Sequence, residues 1–337
     1  MIHLIHLEVG FNRRLGKTIM KKFYNKSHVR VFFNDEFNKS IDCFDYYDAD
    51  SASLYLGRDF NQPFLKKHVH FPRVIFFGSR FNQPIDNLPD NHLTRIKFGN
   101  DFNHSIDSLG DSVVELHIGE HNGSDFNQQI NHLSRELELF VLRIGSQFNK
   151  NINFEGTDKL RRVIFGDLFN QLVYGTNYRI QEKKDEETLK SEDNVISLSN
   201  LEKPAIQISN VYFLCLGPEY SQSLNYLPDS IHYLNVGYEY GKWNDRADNV
   251  PEYKRRDVYF RRLSKTNYDT STITRLPASL KCLRIATSDE NIIELKKRFP
   301  EIICINNNEY VDVTLDQLHI RSENEDFNHE EVEDNKY

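Results

Sequence analysis

The dipeptide Phe-Asn recurs in phase at positions 11, 37, 60, 81, 102, 126, 148 and 169, at intervals of 26, 23, 21, 21, 24, 22 and 21 residues. A period this short constrains the fold more tightly than chain length does, because such a unit is too small to cover its own apolar face and has to stack on its neighbours. The array therefore reads as a solenoid whose coil is about 21 to 24 residues long.

Ahead of each pair stands a stretch in which apolar residues alternate and a small residue follows. Leu93-x-x-Ile96-x-Phe98-Gly99 and Val113-x-x-Leu116-x-Ile118-Gly119 are two examples, and Leu139-x-x-Leu142-x-Ile144-Gly145 and Leu160-x-x-Val163-x-Phe165-Gly166 repeat the spacing. Alternation over so few residues predicts one short strand per coil with one face buried, and the glycine is read as permitting the turn out of the sheet. The next Phe then points between coils, Ile85 or Ile106 supplies a second inward anchor, and Leu88-Pro89 leads back to the following strand. The expected product is a parallel β-sheet along one face of a repeat solenoid, with turns and irregular or short helical segments on the other.

An amide beside a core ring is costly unless it is hydrogen-bonded. The asparagines are therefore expected to form a ladder that satisfies turn backbone groups of their own coil and the next. The pairs assigned to this structural role are Phe37 and Asn38, Phe60 and Asn61, Phe81 and Asn82, Phe102 and Asn103, Phe126 and Asn127, Phe148 and Asn149, and Phe169 and Asn170.

The strand spacing persists in Val211-x-x-Leu214-x-Leu216-Gly217, Ile231-x-x-Leu234-x-Val236-Gly237, Leu280-x-x-Leu283-x-Ile285 and Leu315-x-x-Leu318-x-Ile320, with Tyr220 and Tyr240 in places comparable to the Phe. Residues 181–194 are charge-rich and nearly devoid of apolar side chains, which reads as a solvated loop. The expected organisation is a regular array over 1–177, a charged insertion over 178–195, degenerate repeats over 196–321 continuing the solenoid, and an acidic tail over 322–337. A second insertion at 238–270 holds Trp243 and a basic run from Lys254 to Lys265.

Composition narrows the function. A net charge of −8 argues against a nucleic-acid binder, which needs a clustered positive field. Cys43, Cys215, Cys282 and Cys304 lack paired metal or disulfide spacings and read as reduced thiols in a reducing compartment. The start, Met1 to Glu8, is interrupted by His3 and His6 where a signal peptide needs an unbroken apolar core, and no apolar run approaches membrane-spanning length. The expectation is a soluble intracellular protein that is neither secreted nor held in a membrane.

Phe81-Asn82-Gln83-Pro84-Ile85 with Leu88-Pro89, and the preceding Ile75-x-Phe77-Gly78, resemble the FNIP repeat, a leucine-rich-repeat relative found in giant DNA viruses and social amoebae. The resemblance covers residues 1–170 well and the remainder weakly. It implies a leucine-rich-repeat-like solenoid and, for a viral member, the host-cell cytoplasm. Members often carry an N-terminal F-box, which implies a substrate-recognition adaptor in ubiquitin ligation; here the first strand pattern, Leu4-x-x-Leu7-x-Val9, begins too early to leave room for one.

Candidate chemistry is sparse. Gly10 to Thr18 looks like a phosphate-binding loop, but five residues separate Gly10 from Gly16 where that motif has four. His68 and His70 alternate on one strand face without a third metal ligand, and the cysteines have no recognisable catalytic context. No cofactor and no metal are expected.

The remaining feature is a row of outward strand positions, which stacked strands bring about 4.8 Å apart. The row reads Arg30 and Phe32, Ser53 and Tyr55, Val74 and Phe76, Arg95 and Lys97, Glu115 and His117, Val141 and Arg143, then Arg162 and Ile164. From it Tyr55, Phe76, Arg95, Lys97, His117, Arg143 and Arg162 are the candidate partner-binding residues, since aromatic and arginine side chains dominate interface energetics. The leading expectation is a non-enzymatic protein–protein interaction module binding another protein through this strand face. The ubiquitin-adaptor role implied by the resemblance, and an enzyme on a repeat scaffold, are the alternatives.

Overall fold

The structure, a computed structural model, describes residues 3–7, 29–41, 52–64, 72–88, 92–119, 124–142, 148, 150–166, 168–181, 195–197, 204–237, 239–241, 259–261 and 268–305. Eight strands come first, β1 (His3–Leu7), β2 (Val29–Phe33), β3 (Ala52–Tyr55), β4 (Val74–Phe76), β5 (Arg95–Phe98), β6 (Glu115–Ile118), β7 (Leu139–Leu142) and β8 (Arg162–Phe165). The chain then makes an excursion through β9 (Val173–Gly175), β10 (Arg179–Gln181), β11 (Val195–Ser197) and β12 (Ile206–Ile208), in which β10 pairs with β11 and β9 with β12, both parallel. It returns as β13 (Phe213–Leu216) and β14 (Tyr233–Val236), departs through an antiparallel pair, β15 (Glu239–Gly241) and β16 (Tyr259–Arg261), and ends the array with β17 (Cys282–Ile285), a helix α1 (Asp289–Arg298) and β18 (Ile303–Ile305).

Twelve of these strands form one parallel sheet in the order β1 to β8, β13, β14, β17, β18. The degenerate half thus extends the same sheet, β13 pairing directly with β8. Ile75, Ile96, Leu116, Phe140, Val163, Leu214, Leu234 and Leu283 are consecutive neighbours across it, and all are buried in one continuous core.

Behind the sheet the rings of the Phe-Asn pairs stand in a column. Phe37, Phe60, Phe81, Phe102, Phe126 and Phe148 are buried and stacked at centroid separations of 6.1, 6.0, 6.1, 6.1 and 6.3 Å. Where the strand ends in Phe a second ring packs against the first: Phe77 lies 3.9 Å from Phe81, Phe98 3.9 Å from Phe102 and Phe165 3.8 Å from Phe169. Aromatic pairs add about 0.5–1.5 kcal/mol each beyond area burial, so the column is a cooperative support that no isolated coil possesses.

The asparagines bond along the same axis. Asn38 Oδ1 accepts from the Asn61 backbone N–H at 3.0 Å, Asn61 Oδ1 from Asn82 at 3.0 Å, Asn82 Oδ1 from Asn103 at 3.0 Å and Asn103 Oδ1 from Asn127 at 2.9 Å. The amides of Gln62, Gln83 and Gln128 donate to the same oxygens of the preceding coil. The same rung and ring contact are made across the excursion: Asn170 Oδ1 accepts from Ser221 N–H at 3.0 Å while Phe169 stacks on Tyr220 at 6.3 Å. Asn149 lies outside the described residues.

The glycine after the strand has a different purpose from the turn expected of it. A Cβ on Gly57 would lie 1.9 Å from the Asn34 carbonyl oxygen, one on Gly78 2.2 Å from that of Gly57, and one on Gly99 2.3 Å from that of Gly78. Successive coils are drawn together there because Arg80 N–H donates to the Arg58 carbonyl and Asp101 N–H to that of Ser79, at 3.1 and 2.9 Å. Among the described residues, only at Gly119 and Gly237, with φ of 81° and 82°, does the position after a sheet strand require the left-handed region.

Three details differ from the sequence reading. In β7 the inward residues are Phe140 and Leu142, with Leu139 opposite Arg162, so the expected frame is displaced by two residues. The physical reason is that Leu137, fully buried, takes the place that Leu93 and Leu160 hold in their coils. Tyr240 lies in β15 opposite Phe260, and buried Tyr268 instead packs near this coil, its hydroxyl donating to the Gln222 carbonyl at 3.1 Å. Helix α1 was not anticipated, although Ser288 caps it, Asp289 and Glu290 occupy its first turn and Lys296, Lys297 and Arg298 its last. The Leu315–Ile320 strand pattern lies outside the described residues.

The close approach predicts that Gly78→Ala lowers stability by at least about 2 kcal/mol, because a methyl cannot be accommodated against backbone. Gly156→Ala, with φ of 80° and open space around its Cβ, is expected to cost only about 1–2 kcal/mol of conformational strain; urea unfolding of both variants checks the order. Asn103→Ala strands the Asn127 N–H and should cost about 1–2 kcal/mol, whereas Asn103→Asp keeps an acceptor and should lose less, read by the same assay. Burial pushes the Tyr268 phenol up to about 12. Its stabilising effect is therefore complete below the unfolded value near pH 10 and is lost as pH rises towards 12. Tyr268→Phe should flatten the fall in urea midpoint measured between pH 9 and 11.

Candidate functional site

The outward positions of the strands form two continuous rows. One runs through Arg30, Ser53, Val74, Arg95, Glu115, Leu139, Arg162, Phe213, Tyr233, Cys282 and Ile303, and the other through Phe32, Tyr55, Phe76, Lys97, His117, Val141, Ile164, Cys215, Asn235, Arg284 and Ile305. Parallel pairing without slippage produces them, since the inward alternates are locked into the core and a one-residue shift would expose every one of them.

Over β2 to β4 the second row is aromatic. Phe32 stacks on Tyr55 at 4.3 Å and 13°, and Tyr55 meets Phe76 edge-on at 5.0 Å. All three rings remain partly accessible, and their packing on one another is lateral, along the array. Lys97 and His117 continue the row, both partly accessible, while exposed Arg95 sits beside Lys97 and pairs with Glu115 at 3.4 Å.

From β7 onwards the character changes. Leu139, Val141, Ile164, Phe213 and Cys215 form a buried cluster separate from the main core, with Tyr233 packed against it. Of the candidate residues, then, Tyr55, Phe76, Arg95, Lys97 and His117 lie together on β3 to β6, and Arg162 stands apart on β8, between Leu139 and Phe213 of this apolar cluster. Arg143 is not in the row, whose places in β7 belong to Leu139 and Val141; Arg143 itself lies outside the described residues, as do His68 and His70. The sequence reading missed the apolar cluster, for which the signal was present in the unbroken apolar run Leu139 to Leu142 and in Phe213 to Leu216, where one face alone needs only alternate apolar residues.

Among the described residues the cysteines offer no activated thiol. Cys215 is fully buried, Cys304 pairs with Leu283 on the core side, and burial pushes the Cys282 and Cys304 thiols up. A raised value disfavours the thiolate, the reactive form. Among the described residues there is no group of three or more metal-ligating side chains and no helix long and apolar enough to cross a membrane.

Residues 81–121 match a family model described as FNIP Repeat. Over this segment the repeat is similar to the FNIP repeat. The matched FNIP segment contains Phe81-Asn82 and Phe102-Asn103, whose rings and amides belong to the column and ladder above, and on its outer side it carries Arg95, Lys97 and His117. The scaffold is a repeat solenoid with one parallel β-sheet along one face. A solved structure, "The crystal structure of CroV588 a novel circular LRR protein structure", is similar at 18% identity and a TM-score of 0.29, over 83% of this chain and 63% of that one. No curated protein matches.

Proposed function

We propose that the protein is a non-enzymatic interaction module that holds a protein partner against the outer face of β3 to β6. The observation that carries this reading is the continuous passage from the Tyr55–Phe76 ring pair to Arg95, Lys97 and His117 along one register of the sheet. Each ring is already ordered by its neighbours, so a partner binding there immobilises few side chains, which removes part of the usual entropic cost of association. Rings and guanidinium groups in one patch are also the side chains that most often carry binding energy. Basic groups at the edge of an aromatic strip favour a partner with an acidic segment.

Capture from host-cell extract with the immobilised chain, followed by titration of the identified protein, tests the reading. The pair Tyr55→Ser and Phe76→Ser, and separately the pair Arg95→Glu and Lys97→Glu, should each weaken binding about tenfold or more, the size expected for removing centrally placed anchors. Unchanged affinity in both double variants would overturn the proposal. Stoichiometric recovery of ubiquitin-ligase subunits in the same capture is what an adaptor role would require.

A further inference from the structure

The charges of the chain are unevenly divided. Along the outward positions from β2 to β18 there are five basic residues, Arg30, Arg95, Lys97, Arg162 and Arg284, and one acidic residue, Glu115. The chain as a whole has the opposite bias, with 50 acidic and 42 Lys or Arg residues. Residues 322–337 hold seven acidic residues and a single lysine, which accounts for six of the eight excess negative charges, and Phe327, Val332 and Tyr337 are spaced among them. Outside this tail the molecule is close to neutral.

We infer that the acidic segment 322–337 is an internal ligand of the outer strand face, occupying the aromatic and basic strip of β3 to β6 until a partner displaces it. The inference rests on the interaction reading above and names the first occupant of that same surface. Charge complementarity supplies its direction: an aromatic, acidic segment belongs to the class of ligand that Tyr55, Phe76, Arg95 and Lys97 would recognise. Reach permits it. Seven strand spacings separate β18 from β5 in the sheet, about 34 Å at ~4.8 Å per strand, and residues 306–321 can span up to about 50 Å at ~3.3 Å each. An intramolecular ligand needs little intrinsic affinity, because tethering holds it at an effective concentration in the millimolar range.

The test compares the full chain with one ending at Arg321 and uses a fluorescein-labelled peptide of residues 322–337 as the probe. The shortened chain is expected to bind the peptide in an anisotropy titration, and the full chain at least about fivefold more weakly because its own tail competes. Arg95→Glu with Lys97→Glu in the shortened chain should weaken peptide binding about tenfold or more, as should raising salt from 50 to 500 mM, which shortens the screening length of exposed charges. A second measurement needs no truncation: a Glu-specific protease should cleave the tail of the full chain faster once Arg95 and Lys97 are reversed. No binding of the peptide by a shortened chain that retains its far-ultraviolet circular dichroism, or equal binding by the charge-reversed variant, would overturn the inference. Dimerisation of the full chain that rises with concentration and disappears on truncation would place the tail on a second copy and overturn it as well. If the peptide fails to bind while the same charge reversal still abolishes partner capture, the internal ligand falls and the interaction surface stands.

Discussion

The contact on which the rest of this molecule depends is the approach of one backbone turn to the next at the glycines that follow β3, β4 and β5. With a carbonyl oxygen of the preceding coil within about 2 Å of where a Cβ would stand at Gly57, Gly78 and Gly99, the coils are as close as backbone permits. That closeness is itself a product of hydrogen bonding, since Arg80 and Asp101 donate to carbonyls of the coil below. Once the turns are fixed in this way, the Phe rings behind them have little choice but to stack, and the Asn amides fall within reach of the next N–H. Ring, amide and glycine are three expressions of one spacing, which explains why they recur together at a fixed interval.

The same spacing explains how the array survives interruption. Fifty-one residues separate Asn170 from Ser221, yet the rung between them is made at 3.0 Å, and Phe169 and Tyr220 stack within 6° of parallel. Tyr replaces Phe and Ser replaces Asn without loss of either contact, since the column requires a flat ring and the rung requires only an acceptor below and an N–H above. The two insertions are closed at their bases by their own strand pairs, β9 with β12 and β15 with β16, so each departs and returns without displacing the sheet.

Much of this was legible in the sequence because ring, amide and strand are all local and all repeated. The register of β7 was not. A pattern of period two is unchanged by a shift of two, so Leu139 to Ile144 and Leu137 to Leu142 satisfy the alternation equally, and only the neighbouring strands select Phe140 beside Leu116 and Val163. That selection removes Arg143 from the row. Tyr240 was misplaced for a related reason: it has the right neighbour, Glu239, but it belongs to the insertion, where β15 pairs with β16. The reason for the glycines was also hidden, because a close approach and a positive φ select the same residue and only coordinates distinguish Gly78 from Gly119.

The outer face shows where local pattern stops being informative. Strand alternation states which side chains leave the core, and says nothing about whether they then meet water. Arg95 and Val141 are equivalent in this sense, yet the first is exposed and the second buried. A sheet with one wetted face and a sheet covered on both differ in composition, the first alternating and the second running apolar throughout, and both kinds occur here within one register. β5 reads Arg-Ile-Lys-Phe and β7 reads Leu-Phe-Val-Leu. The boundary between them divides the face into an aromatic and basic part that remains accessible and an apolar part that does not. It is this division, more than any single residue, that confines the candidate interaction surface to β3 through β6 and leaves Arg162 outside it.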